Sequence, residues 1–177
     1  MSEALTHETT IRLATSDDLA AIVDIYTQSI PAGWSTADTK PITVAERLDW
    51  FSKFEPNRRP IWVVECNGEV AATAYLSSFY AGRPAYNATA EISIYIATSF
   101  HRRGLGKRLK QWVVGQCPAL GITTLLSYYF DHNEATKHIN DSLGFETLGH
   151  LPRIATVQGE LRGLVIAGLR IAAKSLG

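Results

Sequence analysis

The chain has 177 residues, a length that fits one domain with a sizeable hydrophobic core. Its 17 lysines and arginines balance its 17 acidic residues, and charged residues make up only 19% of the sequence. This composition excludes a disordered polyelectrolyte and provides no overall basic charge for nucleic-acid binding.

The cysteines and the uncharged segments bear on compartment and membrane association. Cys66 and Cys117 have no Cys or His partner at metal-ligand spacing, so neither a zinc site nor a disulfide scaffold is predicted, and we expect reduced thiols in a cytoplasmic protein. The uncharged segment 111–130 contains glycines and a proline, which argues against a membrane span. We expect residues 1–10 to form an N-terminal tail without a secretory signal, and residues 11–177 to form a single domain.

The first half of the chain predicts a strand, two helices and a hairpin. An apolar alternation predicts a strand over 11–14, and helical spacing of apolar residues predicts helices over 19–30 and 43–54. Thr43 and Glu46 have the spacing of a capping box at the start of the second helix. Asn67-Gly68 lies between two apolar runs and predicts a type I′ hairpin turn.

The second half predicts a strand with one polar face and further alternation of helices and strands. Residues 89–97 alternate between an apolar set and a polar set that contains Glu91, Ser93 and Tyr95. Helices are predicted over 104–116 and 133–143, and strands over 123–130, 145–150 and 161–171. This order favours one mixed sheet with helices on its faces.

A basic turn precedes the third predicted helix. Residues 99–108 contain four lysines and arginines and no acid, together with Gly104 and Gly106. Backbone N–H groups at a helix start bind anions, and glycine lets a phosphate approach the backbone closely. The spacing fits neither a Walker A loop nor a dinucleotide fingerprint. We interpret the turn as a pyrophosphate cradle; the alternative is a solvated helix start, although basic charge is unfavourable at that end of a helix.

Several motifs identify a family resemblance. His101-Arg-Arg-Gly-Leu-Gly106 resembles the acetyl-CoA signature Gln/Arg-x-x-Gly-x-Gly/Ala of the GNAT N-acetyltransferases, with His at the first position. Asn133 to Thr136 and the later Leu143-Gly144-Phe145 are similar to two further landmarks of that family. Arg83 and Tyr86, followed by Glu91 and the 93–96 strand, resemble the phosphinothricin N-acetyltransferase branch. The resemblance covers 11 to about 171 and implies an α/β (α+β) fold, a mostly antiparallel mixed sheet of about seven strands with about four helices.

The resemblance also implies a cofactor site. Acetyl-CoA would be the co-substrate, and no metal is expected. The backbone of Ile94, Tyr95 and Ile96 would bind the pantetheine arm and help to polarise the thioester carbonyl, and Asn133 would contact the same arm. The pyrophosphate would be held by the basic turn, which comprises His101, Arg102, Arg103, Gly104, Leu105, Gly106 and Lys107.

The chemistry of amine acetylation requires a base and donors for an oxyanion, because an ammonium ion cannot attack a thioester. Glu91 is the candidate base, as an acid within a strand that otherwise carries no charge, and the family resemblance agrees. The alternative is an acid at an exposed strand end.

The source of the proton for the departing thiolate stays open. Many enzymes of the resembled family have Tyr three residues before the Leu-Gly-Phe landmark, and the phosphinothricin branch often has His, whereas this chain has Asn140, which cannot act as an acid. Either Tyr128, Tyr129 or His138 donates the proton, or the thiolate, with a pKa of about 8.5, leaves unassisted.

The expected acceptor site contains Trp34, Arg83 and Tyr86. A guanidinium can bind a carboxylate bidentately, although a plain surface role for Arg83 is equally open. Arg47 and Trp50 either line the pocket or belong to the core. Segment 159–164 stands where phosphinothricin-type enzymes tend to have Trp and an acid, and it lacks the Trp, so we expect an acceptor pocket that differs from theirs.

The expected function is acetyl-CoA-dependent acetylation of the primary amine of a small amino-acid-like metabolite or toxin. The alternatives are a protein or peptide N-acetyltransferase and a catalytically silent acyl-CoA-binding module. The expected partner is a small-molecule amine acceptor, without nucleic acid or membrane, and a homodimer is left open.

Overall fold

The computed structural model describes residues 9–172. Within them, seven strands form one sheet and four α-helices flank it, which confirms the predicted architecture. The sheet order is β1-β2-β3-β4-β5-β7-β6, and every neighbouring pair is antiparallel except β4 and β5. In chain order the elements are β1 (Thr9–Leu13), α1 (Leu19–Ser29), α2 (Val44–Ser52), β2 (Ile61–Cys66), β3 (Glu69–Ser78), β4 (Thr89–Ile96), α3 (Leu105–Gln116), β5 (Thr124–Phe130), α4 (Glu134–Ser142), β6 (Glu146–Val157) and β7 (Glu160–Arg170).

Two boundaries differ from the sequence-based expectation. Thr9 pairs with Cys66, so the end of the predicted tail belongs to the sheet, while residues 1–8 and 173–177 lie outside the described residues. β6 continues beyond the expected end at 150 to Val157. Its side chains are mostly exposed and its pairing with β7 is irregular between Leu151 and Ala155, so the strand carries little alternation of apolar and polar residues.

Two local predictions are confirmed in detail. Asn67 and Gly68 have φ angles of 53° and 82°, as a type I′ turn requires, and they join β2 to β3. At the start of α2, the Glu46 backbone N–H donates to Thr43 Oγ1 at 3.3 Å, and Thr43 N–H donates to the Glu46 carboxylate at 2.7 Å. This reciprocal capping fixes where α2 begins.

The sheet lies between two helical layers. On one side, Ile92 of β4 packs in the main core with Leu105, Leu109 and Val113 of α3. On the other side, a smaller core joins Ile22 of α1 to β2 and to the apolar residues of α2. The polar set of β4 faces this second side. No helix among residues 9–172 has the length and apolarity needed to cross a bilayer.

The sheet opens between its two parallel strands. β4 pairs with β3 as far as Ile96, but it pairs with β5 only from Thr89 to Glu91. From Ile92 onward, β4 therefore has a strand neighbour on one side only. We call the space between residues 92–96 of β4 and 127–130 of β5 the β4–β5 gap. Backbone groups along such a gap are available to a ligand.

Candidate active site

The basic turn lies at the end of β4 and opens α3. Gly104 is the N-cap residue of α3, with a φ of 71° that disfavours other residues, and a Cβ atom at Gly104 would meet no atom within 4 Å. The first N–H groups of an α-helix have no partner within the helix. The start of α3 therefore presents backbone donors toward open space.

The charges of this turn are not balanced by the protein. Among residues 9–172, no carboxylate forms a salt bridge with Arg102, Arg103 or Lys107. The Arg103 guanidinium lies 5.1 Å from the centroid of the Phe100 ring, which holds it beside the turn. Cations gathered at the positive end of a helix are stabilised by an external anion, so the turn fits a pyrophosphate.

His101 and Gly106 connect the turn to the surrounding elements. His101 Nε2 lies 2.9 Å from the backbone oxygen of Ile96, which ties the turn to the last residue of β4. A Cβ atom at Gly106 would lie 3.1 Å from Ile96 and 3.6 Å from Ile139, so a larger residue here would require the Ile96 side chain to shift slightly, and close packing favours glycine. Glycine is thus favoured at the two positions for different physical reasons: a positive φ and open space at Gly104, and close packing at Gly106.

Glu91 lies on the opposite face of the sheet from α3. It is half-buried and pairs in register with Ser77 of β3 and Leu126 of β5. Burial raises the pKa of its carboxyl group. Tyr128 is two residues beyond Leu126 on β5 and therefore lies on the same face of the sheet as Glu91. Burial and the charge of Glu91 raise the pKa of Tyr128. Glu91 is therefore a carboxylate of raised proton affinity at the point where β4 and β5 separate.

An aromatic pocket lies farther along the same face. The rings of Tyr26 and Tyr95 meet edge to face at 4.8 Å, and the Arg47 guanidinium lies 4.9 Å from the Tyr26 centroid and 5.0 Å from that of Trp50. Arg47 also forms an ion pair with Asp38 at 3.6 Å. Arg47 and Trp50 both line this pocket, which is one of the two alternatives considered for them. Trp50 also packs against the smaller core.

Arg83 and Tyr86 lie on the exposed loop between β3 and β4. The Arg83 guanidinium lies 6.0 Å from the centroid of the Tyr80 ring, and Tyr80 and Tyr86 pack at 5.5 Å between centroids. The loop begins after Ser78, the residue that follows Ser77, and Ser77 pairs in register with Glu91, so the loop starts beside Glu91. No salt bridge joins Arg83 to Glu91 within residues 9–172.

Asn133 and Trp34 join the loop after α1 to the start of α4. Asn133 is buried; its Oδ1 accepts a hydrogen bond from Thr136 N–H at 3.0 Å, and its Nδ2 donates to the backbone oxygen of Trp34 at 2.9 Å. The Trp34 side chain is 50% exposed. Asn133 thus has a structural role, and its contact with a cofactor arm stays a prediction.

A buried polar cluster was missed from the sequence. Lys110 of α3 contacts Ser127 of β5 and Asn140 of α4, and all three are buried. From the sequence, Asn140 was singled out only as a departure from the family pattern, and Lys110 was not singled out. The available signal was a lysine directly after Leu109, an apolar residue that lies in the main core.

Comparison with known proteins agrees with this geometry. The sequence profile of the acetyltransferase (GNAT) family matches residues 19–145. The protein YwnH of Bacillus subtilis (strain 168), whose name proposes phosphinothricin acetyltransferase activity, is 41% identical over 164 residues, covering 92% of this chain and 99% of YwnH. The phosphinothricin N-acetyltransferase of Streptomyces viridochromogenes is 30% identical, covering 80% of this chain and 76% of its own length.

A solved structure is similar over nearly the whole chain. The crystal structure of a GNAT superfamily phosphinothricin acetyltransferase from Sinorhizobium meliloti, in complex with AcCoA, matches with a TM-score of 0.86 and 27% identity. The match covers 96% of this chain and 92% of that one.

Proposed function

Because the chain belongs to the acetyltransferase (GNAT) family, we propose that it transfers an acetyl group from acetyl-CoA to the primary amine of a small amino-acid-like molecule, of the phosphinothricin or methionine sulfone type. One structural observation carries this proposal. The β4–β5 gap has an unbalanced basic turn at one end and the half-buried Glu91 carboxylate at the other.

The residues present fit acetyl-CoA, which would supply a thioester carbonyl carbon as the electrophile. The backbone donors at the start of α3 and the side chains of Arg102 and Lys107 would hold the pyrophosphate. The backbone of residues 94–96, which lacks a strand partner on the β5 side, would bind the pantetheine arm and donate to the developing oxyanion. No metal is part of this proposal.

Glu91 would act as the base. It takes a proton from the acceptor ammonium group, directly or through water, so that the free amine can attack. A base works best when its pKa lies nearer the working pH, and burial moves the pKa of Glu91 in that direction. Arg83 would bind the carboxylate that an amino-acid-like acceptor carries next to its amine, which holds the amine in position.

The direct test is release of free thiol from acetyl-CoA across a panel of amines. We expect methionine sulfone, methionine sulfoximine and phosphinothricin to react and amines without an anionic group to react poorly. A peptide with a free N-terminus belongs in the panel, because its selective acetylation would favour the peptide-directed alternative. Retained coenzyme A binding without thiol release from any amine would indicate a silent binding module.

Arg83→Ala is expected to raise the Michaelis constant for methionine sulfone about tenfold, the loss of one charge-assisted interaction. Its affinity for coenzyme A, measured by calorimetry, stays unchanged. Arg58→Ala is the control, since Arg58 is an exposed arginine that pairs with Glu55. If polyamines or aminoglycosides react and every amino-acid analogue fails, the anionic acceptor is wrong while acetyl transfer stands.

Two finer proposals concern compartment and assembly. Cys66 and Cys117 are free and buried, which supports a reducing compartment such as the cytoplasm. Leu148 and Ile154 are exposed on β6, the edge strand of the sheet, which supports a homodimer. The molar mass in solution, measured by light scattering, tests the dimer.

A further inference from the structure

Lys110 is a buried lysine without a carboxylate partner. Its side chain lies on α3, the residue is 5% exposed, and its Nζ donates to Ser127 Oγ at 2.8 Å and to Asn140 Oδ1. The ring of Phe145 lies 4.7 Å from the same Nζ. No salt bridge to Lys110 occurs within residues 9–172. Burial lowers the pKa of Lys110 to about 7, so this group exchanges protons near neutral pH.

Lys110, Ser127 and Asn140, here called the Lys110 cluster, lie where the β4–β5 gap begins. Leu126 is the last residue of β5 that pairs with β4, and Ser127 is the next residue. Leu125 and Tyr129, which share the face of Ser127, pack in the main core with α3. The cluster is thus at the closed end of the gap, on the face opposite to Glu91.

The hydroxyl group of Ser127 is free to donate a hydrogen bond to a ligand. Its Oγ accepts hydrogen bonds from Lys110 Nζ and, at 3.3 Å, from Asn140 Nδ2. A hydroxyl group has one donor and two acceptor sites, so both acceptor sites are used. The Ser127 O–H finds no acceptor in the part of the chain that the structure describes, although the residue is only 3% exposed. A buried donor without an acceptor is unfavourable unless a ligand completes it.

We propose that Ser127, supplied with a proton by Lys110, protonates the sulfur of coenzyme A when the thioester breaks; this inference rests on the proposed function. The C–S bond breaks and its electron pair stays on sulfur, which forms an S–H bond with the Ser127 proton. Lys110 Nζ gives a proton to Ser127 Oγ, becomes a neutral amine and regains a proton from solvent before the next turnover. Asn140 is a positioning residue, because its amide holds both partners.

The other candidate donors are less well placed. Tyr128 lies on the face of Glu91, and His138 is exposed on α4. Tyr129 shares the face of Ser127, but within residues 9–172 the hydrogen-bond partners of Lys110 Nζ are Ser127 and Asn140, so Lys110 does not supply Tyr129 with a proton. The remaining charged groups of α3 and α4 near the cluster are exposed: Lys107, Arg108, Glu134, Lys137 and Asp141.

Kinetics provide the first test. Lys110→Met and Ser127→Ala are expected to lower kcat for methionine sulfone, or the fastest amine of the panel, about tenfold, with an unchanged Michaelis constant for acetyl-CoA. This is below the usual range for general acid catalysis, because a thiolate is a good leaving group. Since Lys110 must be protonated to donate, kcat falls as pH rises through about 7 in the wild type. That descending limb disappears in Lys110→Met and persists in the exposed control Lys137→Met.

Lysine NMR provides a second test that requires no turnover. The Nζ signal missing from Lys110→Met identifies Lys110, and its pKa is measured in complexes with coenzyme A and with desulfo-coenzyme A. The Ser127 lone pairs face Lys110 in both complexes, but only the sulfur of coenzyme A accepts the Ser127 O–H. That hydrogen bond increases the negative charge on Ser127 Oγ and so favours the charged form of Lys110. The pKa of Lys110 is then higher with coenzyme A, and Ser127→Ala removes the difference.

The possible outcomes distinguish a failure of the Ser127–Lys110 inference from a failure of the proposed function. Equal Lys110 pKa values in the two complexes, or a loss of kcat in Tyr129→Phe without one in Ser127→Ala, would overturn the assignment of Ser127 and Lys110. A wild type that binds no coenzyme A would overturn the proposed function itself. Normal acetyl transfer by both Lys110→Met and Ser127→Ala would leave the proposed function standing and remove only this inference.

Discussion

Replacing Glu91 with glutamine is expected to lower kcat by roughly 100-fold or more, the usual contribution of a general base. Glutamine is close to glutamate in size but cannot accept a proton, so the fold and the backbone of β4 should persist. Affinity for coenzyme A, measured by calorimetry, should be unchanged, because the basic turn lies at the other end of the gap. Glu69→Gln, which alters an exposed acid at the start of β3, is the matched control.

The pH dependence of this variant has a definite sign. Burial raises the pKa of Glu91 in the folded protein, so the active carboxylate forms at a higher pH than for an exposed glutamate. Wild-type kcat therefore rises with pH as Glu91 deprotonates, and Glu91→Gln lacks this ascending limb. Near-normal turnover in the variant would show that Glu91 is structural or that the acceptor loses its proton before it binds.

The sequence predicted those elements whose signals are local. Thr43 and Glu46 cap α2 through contacts three residues apart, and Asn67-Gly68 adopts positive φ angles without help from the rest of the chain. β6 continues past its predicted end at 150 because it pairs with β7. The exposed side chains of β6 do not indicate this pairing from the sequence. Local chemistry therefore predicts where elements start, and tertiary pairing decides where some of them end.

The candidate site also combines features that follow from local sequence with features that depend on long-range packing. Glu91 could be proposed because it is an acid in an otherwise uncharged alternating strand. The β4–β5 gap could not, because it depends on where two strands distant in sequence stop pairing. The Lys110 cluster was missed for the same reason, since Lys110 and Asn140 are 30 positions apart and only the packing of α3 and α4 against β5 joins them.

Gly104→Val is expected to weaken coenzyme A binding by well over tenfold, a loss of more than about 1.4 kcal/mol. A Cβ atom at this position meets nothing in the protein, so the valine side chain occupies the open space that the α3 backbone donors face. A phosphate group would then be kept away from those donors. Calorimetric titration with coenzyme A measures the effect directly.

Backbone strain is the competing explanation for such a loss, and the chain contains a matched control. Gly121 has a φ of 68° against 71° at Gly104, and a Cβ atom there also meets nothing within 4 Å. Gly121→Val therefore carries a similar conformational cost at a site outside the basic turn. If only Gly104→Val loses affinity for coenzyme A, the pyrophosphate occupies the space beside the turn.

Arg102→Ala and Arg103→Ala should weaken coenzyme A binding less than Gly104→Val does, because exposed charges are screened by salt. Unchanged affinity in a folded Gly104→Val protein would remove the pyrophosphate from this turn.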